Sequence, residues 1–225
     1  MSGLATKSIR GLSQLVMLIG IALFVSAWTV HYWHAWVYLA VFAGASGLIT
    51  AYLWKHDPQL LERRVKAGAA AEKEKSQKLI QMVASMGFFA EIIVPSLDHR
   101  HGWSHVPVAL AITGDVLVSA GFFIVFLVFR ANTFTSATIE VAAGQRVVST
   151  GPYAIVRHPM YAGVLLLLLA TPIALGSSWG VLIVVPMVVV LALRSVEEEK
   201  FLRIRLGGYG DYCERVRFRL VPFVW

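Results

Sequence analysis

The chain has 225 residues, of which 57% are hydrophobic and 15% charged, with a formal net charge of +7. A mean hydropathy of +0.68 excludes an ordinary soluble domain, because runs of about 18 or more nearly uncharged residues read as membrane-spanning helices. One cysteine, Cys213, excludes an internal disulfide and a cysteine metal cluster; no nucleic-acid motif is present, and basic residues beside apolar spans report topology and lipid headgroups instead.

The first apolar run follows Lys7 and Arg10 and extends over about 12–30. Its basic start resembles a signal peptide, but it has no convincing cleavage site and further spans follow, so it is read as a retained helix. Spans are then predicted over about 36–54, 79–95 and 106–129. Between the second and third lie "DPQLLERR" (57–64) and the low-complexity "KAGAAAEKEKSQK" (66–78), a solvated helical extension or mobile loop. A last apolar region, 160–193, is interrupted by "GSSWG" at 176–180, a helix–helix turn. Each arm of the hairpin has about 16 residues, roughly 24 Å of helix, and prolines such as Pro172 and Pro186 are tolerated there with local kinks.

The fold expected is an all-α integral membrane protein of about five to six helices, the last two a hairpin. Residues 1–130 form a four-span region and 131–225 a C-terminal core with a tail. Lys and Arg concentrate in alternate loops: Lys7 and Arg10, the 55–78 segment, Arg130, Arg146 and Arg157, and the tail from Arg194 onward, with Arg100 alone on the other side. This bias puts both termini and the C-terminal polar segments of a multi-pass protein in the cytoplasm.

"GPYAIVRHPMYAG" (151–163) stands at the mouth of the hairpin. Gly151-Pro152 makes a turn, and Pro159 pushes His158 out of the α region and starts a helix at itself. Arg157 and His158 then lie beside the N–H groups of that helix start, which suits an anion or carboxylate. The same residues, with Tyr153 and Tyr161, also suit a plain interfacial anchor. "RSVEEEKFL" (194–202) closes the second arm, and Arg194 and Glu198, four apart, share a helical face. Folding the hairpin brings Arg157, His158, Tyr161, Arg194 and Glu198 toward one inner-leaflet pocket built by the C-terminal third. The tail is too short to span and lies along the membrane or over that pocket.

Other polar groups are weighed against structural roles. "DHRHGWSH" (98–105) holds three histidines and an aspartate, but its spacing is not that of a helical zinc motif and it falls in an outer loop, so no metal is assigned. His31 and His34 flank the other outer turn as interfacial residues. Glu91 and Asp115 lie within spans, where helix packing and a functional pathway both remain open readings.

"GPYAIVRHPMYAG", the hairpin, the "R-x-x-x-E-E-x-x-L" of Arg194, Glu198, Glu199 and Leu202, and "GGYGDYCERVRFRLVP" together resemble the isoprenylcysteine carboxyl methyltransferase family, to which phospholipid N-methyltransferases are related. "DPQLLERR" is similar to a segment of its bacterial members, which implies a bacterial inner membrane; the specific resemblance covers about 138–222. It implies S-adenosyl-L-methionine as cofactor. Gln145, Arg146, Val147 and Val148 then fall on a strand-like approach to the adenosyl group. Tyr153 falls on a cofactor-contacting tyrosine, and His158, Pro159, Met160 and Tyr161 on the segment holding the cofactor's methionine or ribose portion. Glu198 matches a carboxylate on the cofactor and Arg194 an arginine facing the substrate, so Arg194, Glu198 and Glu199 are the catalytic candidates. Thr138 matches only weakly.

The implied activity is methyl transfer to a lipophilic acceptor drawn from the bilayer: carboxyl O-methylation of an isoprenylcysteine-like or other lipidic acid. A carboxylate is ionised at neutral pH, so the reaction needs alignment and a dry site instead of a general base. An amine acceptor must lose a proton, which would ask Glu199 or His158 to help. A transporter or scaffold would spread its polar residues through the spans, whereas here they cluster at one face. A nicotinamide-dependent membrane reductase is a further alternative, lowered by the absence of a Gly-rich dinucleotide motif.

Overall fold

A computed structural model describes residues 2–65, 75–136, 138, 141–142 and 144–225. Its helices are α1 (Ser2–Ala27), α2 (Trp33–His56), α3 (Pro58–Val65), α4 (Lys75–His101), α5 (Val108–Ala131), α6 (Pro159–Ala174), α7 (Val181–Arg205) and α8 (Tyr209–Arg215), with a 3-10 turn at Gly151–Ala154. Four of them, α1, α2, α4 and α5, are long and apolar enough to cross a membrane, which makes the chain a multi-pass membrane protein. The shorter α6 is apolar throughout, and α7 is apolar only in its first half.

Local signals account for the boundaries. Trp28, at φ 57°, ends α1 before Val30, so the first helix stops short of the apolar run. The Asp57-Pro58 pair starts α3: the Asp57 carboxylate accepts from the Leu60 N–H at 3.0 Å, and Pro58 takes the first helical position, where its missing N–H costs nothing. α4 is longer than its apolar stretch and carries Asp98 to His101 in its last turn. The outer segment read as a loop is therefore partly helix. The second hairpin arm also exceeds the expected length: α7 runs 25 residues and takes Arg194 through Leu202 along one continuous helix. Of the low-complexity piece, 66–74 lie outside the described residues and 75–78 open α4.

α6 is the hub. It lies along α5 over most of its length and also touches α2, α4 and α7. The α5–α6 approach is set by small residues. A Cβ added to Gly114 would stand 2.5 Å from the Ala174 nitrogen, and one on Gly163 3.1 Å from the Gly121 carbonyl. In lipid, where apolar burial drives little helix association, such close backbone contact is what holds helices together. Gly114→Ala is therefore expected to destabilise the fold by the ~1–3 kcal/mol typical of overpacking and so lower the thermal unfolding midpoint, since the neighbour it would meet is backbone and cannot swing away. A midpoint equal to that of the parent protein would contradict this packing.

The far end of the hairpin is tied down by polar contacts. Asp98 accepts from the Ser104 N–H at 2.8 Å and from the Ser104 and Ser177 hydroxyls. Tyr32 donates to the Leu175 carbonyl at 2.6 Å. Asp98 thus works as a stitch between the α4–α5 and α6–α7 turns. His34 packs under Gly176, at φ 74°, where a side chain would meet its ring at 2.9 Å. Glu91 and Asp115 are both buried inside the bundle.

Candidate active site

At the opposite end, where the C-termini of α2, α5 and α7 meet the N-termini of α4 and α6, a cavity of about 360 Å³ opens. That is within the usual ~300–1,000 Å³ of small-molecule sites. It is lined by Gln145, Arg146, Val147, Val148, Tyr153, His158, Pro159, Met160, Tyr161, Arg194 and Glu198, and also by Arg64, Gln81 and Ala84 from the N-terminal half. The C-terminal third therefore does not build the cavity alone.

His158 has φ −121° and ψ 63°, outside the helical region, as expected before proline, and Pro159 occupies the first turn of α6. This directs the His158 ring back against Tyr161, stacked at 5.5 Å. The hairpin closes the site with a chain of hydrogen bonds. Tyr161 donates to Glu198 Oε2 at 2.6 Å, Arg194 Nε donates to the Tyr161 oxygen at 3.1 Å, and Arg194 Nη1 donates to Gln77 Oε1 at 3.2 Å. Arg194 is buried although it ends an apolar half-helix. Among the described residues, Glu198 Oε1 accepts no hydrogen bond.

Glu199 does not line the cavity; it lies behind the wall. Arg157 Nε donates to Glu199 Oε1 at 2.7 Å, Arg219 Nε donates to Oε2 at 3.2 Å, and His158 Nε2 stands 3.3 Å from Oε1. Burial acts to raise the Glu199 pKa, but the His158 and Arg157 contacts outweigh it and hold the carboxyl below its ordinary 4.5, at about 2. Arg157 also donates to the carbonyls of Val216 and Arg217 at 3.0 and 3.1 Å. The backbone N–H groups of Arg157 and His158 bond to the Phe218 and Arg219 carbonyls, both at 2.9 Å. Arg157 is thus a buried clamp on the tail that also reaches the cavity lining, not a headgroup anchor, and the tail is strapped against the start of α6.

The approach over 145–148 is not a strand. It is irregular backbone after a turn at Gly144, φ 73°. Gln145 Oε1 accepts from the Ala142 N–H at 2.9 Å. The N–H and C=O groups of Arg146, Val147 and Val148 join no hydrogen bond among the described residues, so they are available to a ligand. Thr138 also lines the cavity, 3.1 Å from the Ser136 hydroxyl. Tyr153 is fixed from both sides: its oxygen accepts from Asn132 at 3.1 Å and its carbonyl from Tyr212 at 2.9 Å.

Sequence reasoning missed Asn132, Gln77, Tyr212, Arg219 and Arg64. For Arg64 a signal existed in "DPQLLERR": Leu60 and Leu61 are the buried face of α3, and the following arginines turn toward 133–136.

Comparison with known proteins covers this region. Residues 109–207 match the phospholipid methyltransferase family. The match begins in α5 and takes in "GPYAIVRHPMYAG", the hairpin and the Arg194–Glu198 face, but neither α3 nor the tail. The chain is also similar to the Delta(14)-sterol reductase TM7SF2 of Mus musculus, 31% identical over 91 residues. That similarity takes in 39% of this chain and spans only 22% of the reductase.

Proposed function

We propose that the protein is an S-adenosyl-L-methionine-dependent methyltransferase acting on a lipophilic acceptor at the membrane, by carboxyl O-methylation of an isoprenylcysteine-like or other lipidic acid. The observation that carries this reading is Arg194 and Glu198 facing one cavity and joined through Tyr161. The residues present fit the cofactor. Glu198 Oε1 suits an ammonium, the polar backbone of 146–148 suits a purine edge, and the Tyr153 and His158 rings offer flat surfaces. When bound, the cofactor supplies a methyl group made electrophilic by a sulfonium.

The chain's own residues orient the partners. Arg194 brings a guanidinium charge to the cavity wall, where it suits a carboxylate. Tyr161 keeps the Arg194 and Glu198 side chains in fixed register, so acceptor and donor ends are set together. No proton acceptor is required, and Glu199, one of the groups that could serve as one, is held by Arg157 and His158. That commitment, with cationic side chains on the cavity wall, weighs against the phospholipid amine reaction suggested by the matching family's name. In that reaction Arg194 would hold the lipid phosphate. The Lys and Arg bias supports a cytoplasmic site with lateral entry of the acceptor from the bilayer.

Calorimetry with S-adenosylhomocysteine on the detergent-purified chain tests the reading. Saturable binding is expected, and none at millimolar ligand would sink it. The similarity to the mouse sterol reductase favours a second reading, a nicotinamide-dependent reductase. NADPH binding in the same titration, with S-adenosylhomocysteine failing, would select it.

A further inference from the structure

α3 lies outside the segment matched by the methyltransferase family, yet it delivers a guanidinium to the cavity. Arg64 donates through Nη1 to the Ser136 carbonyl at 3.0 Å and lies over the Phe129 ring at 5.2 Å. Both neighbours are uncharged, and no carboxylate pairs with Arg64 among the described residues. The helix that carries it is firmly seated. Leu60 and Leu61 are buried against Leu53, Val125 and Phe129. Arg63 donates to the Thr133 carbonyl at 2.6 Å, and Thr133 donates to Asp57 at the start of α3. Arg64 is therefore placed by design of the wall, not by a free side chain seeking headgroups. Burial, together with the field of Arg194, pushes its pKa down, so the cation is held at some cost.

A cationic side chain kept half-buried against neutral neighbours and close to a second guanidinium is stabilised when an anion enters between them. We infer that Arg64 and Arg194 together seat the anionic group of the acceptor, a carboxylate or a phosphate, with Arg64 selecting anionic over neutral lipids. This rests on the proposed methyl-transfer reading for the acceptor's role, but the seat itself is a binding site that needs no cofactor. Arg64 is a specificity residue brought by the N-terminal half. In that case the apolar tail of the acceptor extends toward Phe134, Val164 and Leu191 on the same wall.

The test is calorimetric binding of dodecanoate, dodecyl phosphate and uncharged dodecanol to the full chain in nanodiscs of zwitterionic lipid, without cofactor. The parent protein is expected to bind at least one anion more tightly than the alcohol. Which anion binds tighter tells an acidic acceptor from a phosphate headgroup. Arg64→Ala should weaken the anion by about tenfold or more, the scale of a lost charge-assisted pair, and leave dodecanol unchanged. Arg64→Lys should restore part of the loss, having charge but no planar fork. An unchanged thermal midpoint in Arg64→Ala separates this from misfolding; if that variant unfolds, Arg64→Lys and Arg64→Gln carry the comparison. Equal anion affinity in the parent and in the folded variants would overturn the inference. Anion binding that persists where S-adenosylhomocysteine fails would instead count against the proposed reaction alone.

Discussion

Glu199→Gln should be among the most destabilising single polar substitutions in the chain. It leaves Arg157 buried, and Arg219 beside it, without their shared carboxylate. Removing one partner from a buried ion pair costs about 3–5 kcal/mol, because the remaining charge stays out of water uncompensated. The midpoint of thermal unfolding in detergent should fall on the order of 10 °C. Proteolysis should clip the 216–225 tail first, since Arg157 grips it through the Val216 and Arg217 carbonyls. A midpoint within a degree of the parent's would refute the clamp. The pH dependence has a definite sign. The Glu199 carboxyl sits lower in the folded state, at about 2, than its ordinary 4.5. Its stabilisation is present above the ordinary value and is lost as pH falls from about 4.5 through about 2. Glu199→Gln should flatten stability across that acid window and leave the neutral plateau lower.

The second large effect separates the ends of the Gln77–Arg194–Tyr161–Glu198 chain. Arg194→Ala should abolish methyl transfer, by about 100-fold or more as expected for loss of a charge that aligns a reacting group, with S-adenosylhomocysteine affinity largely kept. Glu198→Gln should do the reverse first, weakening S-adenosylhomocysteine by about tenfold, the scale of one charge-assisted hydrogen bond. Paired calorimetry and methyl-transfer assays read both. If Arg194→Ala destroys cofactor binding while Glu198→Gln spares it, the two roles are exchanged. Tyr161 joins the side chains directly, so the double mutant should cost less than the sum of the two single ones.

Much of the site was legible because its signals are local. The pre-proline His158, the helix start at Pro159 and the four-residue spacing of Arg194 and Glu198 follow from backbone chemistry and helical period, and the structure realises each of them. Glu199 was grouped with Arg194 and Glu198 as a catalytic candidate, although only Glu198 shares the helical face of Arg194. A step of one residue turns about 100° around a helix, so Glu198 faces the cavity while Glu199 faces the Arg157–Arg219 cluster. Arg157 was ambiguous for a different reason: its partners lie 42 and 59 positions away. The tail's seat against 157–158 is backbone pairing between distant segments, to which side-chain pattern gives no clue.

Composition and hydropathy were enough to determine a multi-pass helical membrane protein, and the basic bias to determine which loops share a face. These depend on transfer of apolar groups out of water and on charge beside the bilayer, both of which sum residue by residue. The tertiary structure alone decided how the cavity is closed. α3 adds Arg64 to it, α4 adds Gln81 and Ala84 and backs Arg194 with Gln77, and Gly114 and Gly121 let α6 lie against α5 so that Tyr161 reaches Glu198. Those are contacts between residues far apart in the chain. Their geometry depends on helix crossing and side-chain volume, which no single segment carries.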